Sequence, residues 1–240
     1  MRAIAGARTS MGKDKMVDRA VRQYHLSLRE KKEKRPTGPP RVIAITRQLG
    51  SGGRRIGEAL GERLGWPVYD KEILEMLARK SHAGYRKEMF EAVDETTQSE
   101  IERMLNAFLG QADQSAYFYL LPKAILTLAQ INCIILGRGA NLLLPDALKV
   151  RVEASLPTRI ANMVRFENQS AEQARRKIKL SDRARDKFLN ELRSILPAQY
   201  QWCRTRLMYD LVINTDSFSP ADAAAMIALA AERKFGCEAA

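Results

Sequence analysis

Between Arg41 and Gly65 an apolar run, RVIAIT, passes through a turn dense in glycine, RQLGSGG, into RRIGEALGERLG, whose Ile56, Leu60 and Leu64 fall on one helical face. No other feature of the chain constrains its fold as much. A short apolar run bounded by a turn reads as a buried strand, and the spacing after it reads as a helix with Gly65 placed as its C-cap. A strand delivered through glycines to a helix start aims several backbone N–H groups at one point, where the helix dipole favours an anion. Gly50, Gly52 and Gly53 permit the tight backbone and its close approach to an oxygen-rich ligand. Close packing of helix on strand is the competing reason for glycine in such a place.

The same alternation continues along the chain. WPVYD, INCIILGRG, LKVRVEAS and DLVINTD read as further strands. Helices are expected through KEILEMLARK, over residues 86–109, through AYFYLLPKAILTLAQ, and over a long Arg-rich region from Pro157 to about Leu207. A last helix follows in SPADAAAMIALAAERKFG, with Ser219 as N-cap and Pro220 at its first position. Strands alternating with helices imply an α/β fold with a parallel sheet wrapped by helices.

At 240 residues and 45% hydrophobic, the chain fits one domain with a proper core and an appendage. Its net charge of +12 invites a nucleic-acid reading, but residues 1–40 hold eleven Lys/Arg against four Asp/Glu, so +7 of it lies there. Within that segment Val17, Ala20, Val21, Tyr24 and Leu28 recur at helical spacing, and REKKEKRPTGPP breaks the pattern. The expected organisation is a basic N-terminal helix with a flexible linker over residues 1–40 and a folded domain over 41–236. RNA binding is disfavoured because no aromatic residues interleave the basic ones in the manner of a stacking platform. No apolar run approaches the roughly 18 residues of a membrane span, and no cleavable leader opens the chain, so a cytoplasmic protein is expected. Cys133, Cys203 and Cys237 lie at neither metal-ligand nor redox spacing, which points to no zinc and no disulfide framework. His25 and His82, in the basic segment and a polar turn, are not expected to act in catalysis.

Charged and polar residues recur where the expected strands end, the edge at which open parallel sheets bind ligands: Arg47, Asp70, Arg138 and Asn214. Taken in order, ITRQLGSGGRRIGEALGERLGWPVYDKEIL, IILGRGANLLL, the helix after RVEASLPTRIANM, SDRARDKF and YDLVINTDSFS resemble the cytidylate-kinase-like proteins of the nucleoside monophosphate kinase group. The resemblance covers about residues 41–231, and the middle helices match poorly. It implies a three-layer P-loop fold with a helical insertion that binds the monophosphate and a mobile Arg-rich lid. The implied activity is transfer of the ATP γ-phosphoryl group to CMP or dCMP with Mg2+. Position by position, Gly50, Ser51, Gly52 and Gly53 match the family's phosphate loop, and Arg54 and Arg55 begin its helix. Arg138 matches an arginine that holds the acceptor phosphate, and Asp70 the acid beside the acceptor pocket; Arg47, at the end of the first strand, is placed either to reach phosphate or to pair with a surface acid. Asp182 and Arg185 match the lid's Asp and Arg, and Arg175, Arg176 and Arg183 are further lid candidates.

Phosphoryl transfer asks mainly for alignment and for neutralisation of charge, and guanidinium groups supply both. Each residue also has a plainer reading. The Arg-rich helix pairs acids and bases at spacings of three and four along a solvated face. Asp70 is placed to cap the helix that follows it, and Asn214 and Thr215 suit either a base pocket or a strand-end turn. Two departures from the family's pattern matter. Gly53 stands where the loop lysine belongs and Arg54 where the magnesium-binding hydroxyl belongs, with Ser51 at the wrong offset. Arg54 and Arg55 are the candidates to replace the missing charge. Gly139 stands where cytidylate kinases have an acid, which loosens the link to cytosine. The alternative function is a catalytically weak nucleotide-binding regulator.

Overall fold

Five short strands, β1 (Val42–Arg47), β2 (Val68–Tyr69), β3 (Cys133–Leu136), β4 (Leu148–Glu153) and β5 (Leu211–Asn214), form one parallel sheet in the order β2-β3-β1-β4-β5. The computed structural model describes residues 2–34, 38–78, 83–109, 116–195 and 208–236. Register is set on both sides of the central strand, where Ile43 lies opposite Ile134 of β3 and Leu148 of β4. Ten helices are described: α1 (Arg2–Lys34), α2 (Gly53–Leu64), α3 (Lys71–Leu77), α4 (Ala83–Glu91), α5 (Glu95–Leu109), α6 (Ala116–Leu128), α7 (Ala140–Leu143), α8 (Leu156–Glu167), α9 (Ala171–Ile195) and α10 (Pro220–Phe235). The architecture is the α/β fold with a parallel sheet that the alternation implies.

The chain divides into two compact units, one of residues 1–40 with 71–132 and one of 41–70 with 133–240. The sheet lies wholly in the second. Its core follows the two-residue period of the strands: Ile43 and Ile45, Ile134 and Leu136, and Leu148, Val150 and Val152 bury one face against Ile56 and Leu60 of α2 and the alanine-rich face of α10. Ala44, Cys133 and Ile135, on the alternate positions, are buried too, as expected of a parallel sheet covered on both faces. Helix α10 starts on a capping box between Ser219 and Asp222 with Pro220 in its first turn, and it ends at Gly236.

In the first unit α1 is a helix with the expected stripe inward: Val17, Ala20, Val21, Tyr24 and Leu28 are all buried. The Tyr24 hydroxyl donates to the Thr127 carbonyl at 3.3 Å, and Lys31 Nζ donates to the Gln130 carbonyl at 2.9 Å. Two expected helices are differently divided. The polar stretch of 86–109 breaks at Ala92–Asp94, where Asp94 caps α5 by accepting from the Thr97 amide. The Arg-rich region is split between α8 and α9 by the left-handed C-cap Asn168, whose φ is 54°, and Ser170 accepts from the Gln173 amide at the start of α9. Its last part, residues 196–207, lies outside the described residues, as do His82, Cys203 and Cys237.

Candidate phosphate-binding site

Strand β1 leads toward β2 on one side of the sheet, and β3 leads to β4 on the other, so the chain diverges at the carboxyl ends of these two neighbours. Open α/β sheets bind ligands at such a divergence. Each of the two strands ends there in a glycine turn.

The first turn, Gln48–Gly53, is fastened by its oxygens. The Arg159 Nε donates to the Leu49 carbonyl at 2.7 Å, the Asn162 amide to Gly50 at 2.9 Å, and the Ser51 hydroxyl to Gln48 at 2.8 Å. The Thr215 hydroxyl lies 3.0 Å from the Ser51 and Glu153 carbonyls, and the Gly52 carbonyl accepts from the Ile56 amide within α2. With the carbonyls turned into the protein, the opposite side of the turn presents the first amides of α2, which have no acceptor inside their own helix. Left-handed φ angles of 82° at Gly50 and 77° at Gly52 produce this reversal. The result is a preorganised anion seat at the positive end of a twelve-residue helix.

The second turn, Gly137-Arg138-Gly139, takes the left-handed conformation at all three residues, with φ of 76°, 53° and 76°. For Arg138 that conformation is strained by about 1–2 kcal/mol. Strain of this kind persists where the surroundings fix it, and it gathers at functional positions. Here Phe188 of α9 lies 5.3 Å from the Arg138 guanidinium carbon, and a Cβ on Gly139 would collide with Leu192 of the same helix.

Around these turns the structure gathers most of the residues singled out from sequence. Burial first, then the repulsion of Arg185, holds the Arg138 pKa down to about 10. Arg47 is held down to about 10 by burial and then by Arg185, with Arg138 and Arg54 adding to the repulsion and Asp70 opposing it. Arg185 is lowered in the same direction, chiefly by burial, against the attraction of Asp182. The electrostatic picture is an excess of cations about Arg47, with Arg185, Arg138 and Arg54 opposed by the largely buried Asp70, a site that gains by receiving an anion.

Other sequence-derived residues take different positions. Arg54 pairs with Glu58 at 3.2 Å and Asp70 at 3.4 Å, so it turns toward the acid at the end of β2. Arg55 turns away and stacks on Phe166 at 3.6 Å. The Ser51 side chain is buried and its hydroxyl faces the Gln48 and Val152 carbonyls. Asp182 is bound from both oxygens at 2.8 Å by Arg159, and Arg185 lies 3.8 Å from it. Arg175, Arg176 and Arg183 are exposed. Asn214 accepts from the Asp216 amide in a strand-end turn. Arg159 itself escapes sequence reading: it is 5% exposed and ties α8 to both the phosphate turn and α9. Its only local signal is an arginine on the first turn of a helix after an apolar strand.

A phosphate loop holds magnesium through a hydroxyl next to its lysine. Arg54 occupies that position, the Ser51 hydroxyl is committed elsewhere, and no three His, Cys, Asp or Glu gather as ligands among the described residues. The side chains present therefore do not fit a protein-held magnesium. Nor is any described helix long and apolar enough to cross a membrane.

A parallel sheet whose central strand runs through a glycine turn into a helix places the chain among the α/β proteins that seat an anion at a helix start. The model of the cytidylate kinase-like family matches residues 42–217, and the chain belongs to that family. Among solved structures it is similar to an uncharacterized protein from Eubacterium ventriosum, with 18% identity and a TM-score of 0.51 over 80% of this chain and 98% of the other. It also resembles TT1252 from Thermus thermophilus (21% identity, TM-score 0.44, 81% of this chain and 98% of the other). A gluconokinase from Sinorhizobium meliloti aligns at 14% identity and a TM-score of 0.41, over 82% of this chain and 97% of that one. None of the curated proteins matches the chain.

Proposed function

We propose that this kinase-like protein is a nucleoside monophosphate kinase, transferring the ATP γ-phosphoryl group to CMP, dCMP or a related acceptor. The observation that carries the reading is the meeting of two built features at one sheet edge: the turn with its carbonyls fastened inward, and the crowded cations Arg47, Arg138 and Arg185. In this reading the ATP phosphates lie over Gly50–Gly53, and magnesium arrives on the nucleotide, held by its phosphates. Arg138 grips the acceptor phosphate, and Arg185, braced by Asp182, neutralises charge on the group in flight. Asp70 holds Arg54 in place beside the acceptor. No covalent nucleophile or histidine base is required.

A second reading, a nucleotide-binding regulator with little turnover, is favoured by one observation: neither the loop lysine nor a free loop hydroxyl is present. Coupled ADP release with MgATP against CMP, dCMP, UMP, AMP, GMP and no acceptor, repeated with Arg138→Ala, separates the two. The kinase reading expects acceptor-dependent turnover that falls roughly hundreds-fold in the variant. Saturable ATP binding without turnover on any acceptor would favour the regulator.

A further inference from the structure

The phosphate-loop pattern runs Gly, four residues, Gly, Lys. With Gly52 as the second glycine, the first glycine's place is held by Arg47 and the lysine's by Gly53. Glycine and cation have changed places. In the structure these two positions touch: a Cβ built on Gly53 would lie 2.5 Å from the Cβ of Arg47 and 2.7 Å from its Cγ. The aliphatic stem of Arg47 thus fills the space from which a lysine at 53 would start. From there the side chain runs on to Gly137, where a Cβ would collide with its Nη1. Gly53 has no left-handed φ, so the backbone there tolerates a side chain, and the three atoms nearest to one all belong to Arg47. Among the described residues the Arg47 guanidinium makes no hydrogen bond and no ion pair, although it is only partly open to solvent.

We propose that Arg47 supplies, from the end of β1, the positive charge that the loop lysine supplies in the full pattern, and that Gly53 is glycine so that Arg47 can pass. This deepens the kinase reading and rests on it: Arg47 would meet the donor phosphates at the loop, whereas Arg138 meets the acceptor. Two further facts fit the assignment. Arg54 and Arg55, the other arginines at the loop, are engaged by Asp70 and Phe166. Burial and neighbouring cations already press on Arg47, so an entering polyphosphate relieves a repulsion present in the empty site.

The exchange can be reversed by mutation. MgATP and inorganic tripolyphosphate binding by calorimetry, with ADP release on whichever acceptor turns over, is measured for wild type, Arg47→Gly, Arg47→Met, Gly53→Lys and Arg47→Gly/Gly53→Lys. Arg47→Met keeps most of the stem that packs on Gly53, and a thermal melt confirms that each variant folds. The proposal expects Arg47→Gly and Arg47→Met to bind MgATP about tenfold or more weakly and to turn over roughly hundreds-fold more slowly. Gly53→Lys alone should also lose affinity, because the new side chain starts inside the Arg47 stem. The double variant, with the lysine in its usual place, should recover to within about tenfold of wild type. Full MgATP affinity in folded Arg47→Met would overturn the assignment and leave the kinase reading standing. So would a folded double variant that fails to recover. Wild-type protein that binds neither MgATP nor tripolyphosphate overturns both together.

Discussion

The two glycine turns at the carboxyl edge of the sheet are built on opposite principles. After β1, the turn Gln48–Gly53 is held by hydrogen bonds to its carbonyls from Arg159, Asn162 and Thr215, and its unusual φ angles fall on glycines. After β3, the turn Gly137–Gly139 carries its left-handed conformation through an arginine, with α9 packed against it. One is a relaxed seat made of backbone; the other is a strained mount for a single charge. Each should therefore fail in its own way. Damage to the first turn should appear as lost stability, and damage to the second as lost function.

The largest effect should come from the clamp that fixes the first turn. Arg159 is almost wholly buried, and Asp182 neutralises it. Removing one partner of such a pair leaves an uncompensated charge in a dry place, which destabilises by about 3–5 kcal/mol. Asp182→Ala should therefore lower the urea midpoint strongly, and Arg159→Met/Asp182→Leu should recover part of the loss. If Asp182→Ala melted like wild type, the clamp would not be structural, and Asp182 would return to a role in the chemistry alone.

A matched pair within the same turn sharpens the contrast. Gly50→Ala puts a Cβ 2.6 Å from the Arg159 carbonyl oxygen at a φ of 82°, whereas Gly52→Ala meets nothing within 4 Å at a φ of 77°. The second change carries only the left-handed penalty of about 1–2 kcal/mol. The first adds a backbone collision and should reach roughly 3 kcal/mol. Equal melting temperatures for the two variants would mean that the turn yields at Arg159, contrary to the rigid seat described.

The cation cluster predicts a smaller, ligand-dependent effect. Arg47 and Arg138 are held to about 10, below the ordinary guanidinium value, so between the two the unfolded chain binds more protons than the folded one. Stability should thus rise with pH across that window, and below about pH 10 the repulsion is fully present. At pH 8 tripolyphosphate should relieve it. At a hundredfold excess over its dissociation constant it should stabilise by about 2.7 kcal/mol, and chloride at equal ionic strength should do much less. Equal shifts from the two salts would reduce the effect to screening.

Much of the first turn could be read in the sequence because its signals are local. The apolar strand, the glycines and the Ile56/Leu60 stripe occupy adjacent positions, as do the Ser219 and Gly236 caps of α10. Arg138 between two glycines after an apolar strand was legible for the same reason. The orientation of Ser51, the split of the Arg-rich region and the part played by Arg159 were not. Ser51 hangs on a carbonyl 101 positions away, and Arg159 on partners 110 and 23 positions away, and composition carries no trace of such pairings. The stripe of α1 shows the boundary well. Its period foretells a helix with an apolar face, but the contact of Tyr24 with Thr127 spans 103 positions. Arg47 beside Gly53 lies between these cases: the letters are six apart, and only the fold shows that they share one volume.

The smallest stability effect is the one that best separates the two turns. Arg138→Gly removes a side chain from a backbone that disfavours it by about 1–2 kcal/mol. Against that gain stand the contact with Phe188, about 0.5–1 kcal/mol, and the greater freedom of glycine in the unfolded chain. The terms nearly cancel, so the variant should melt within about 1 kcal/mol of wild type while its acceptor-dependent turnover collapses. A residue kept for packing would give the reverse, a clear loss of stability with activity reduced only in proportion to the folded fraction. Retained melting with lost turnover would mean that the strain at Arg138 is held in place by the fold for the sake of its charge.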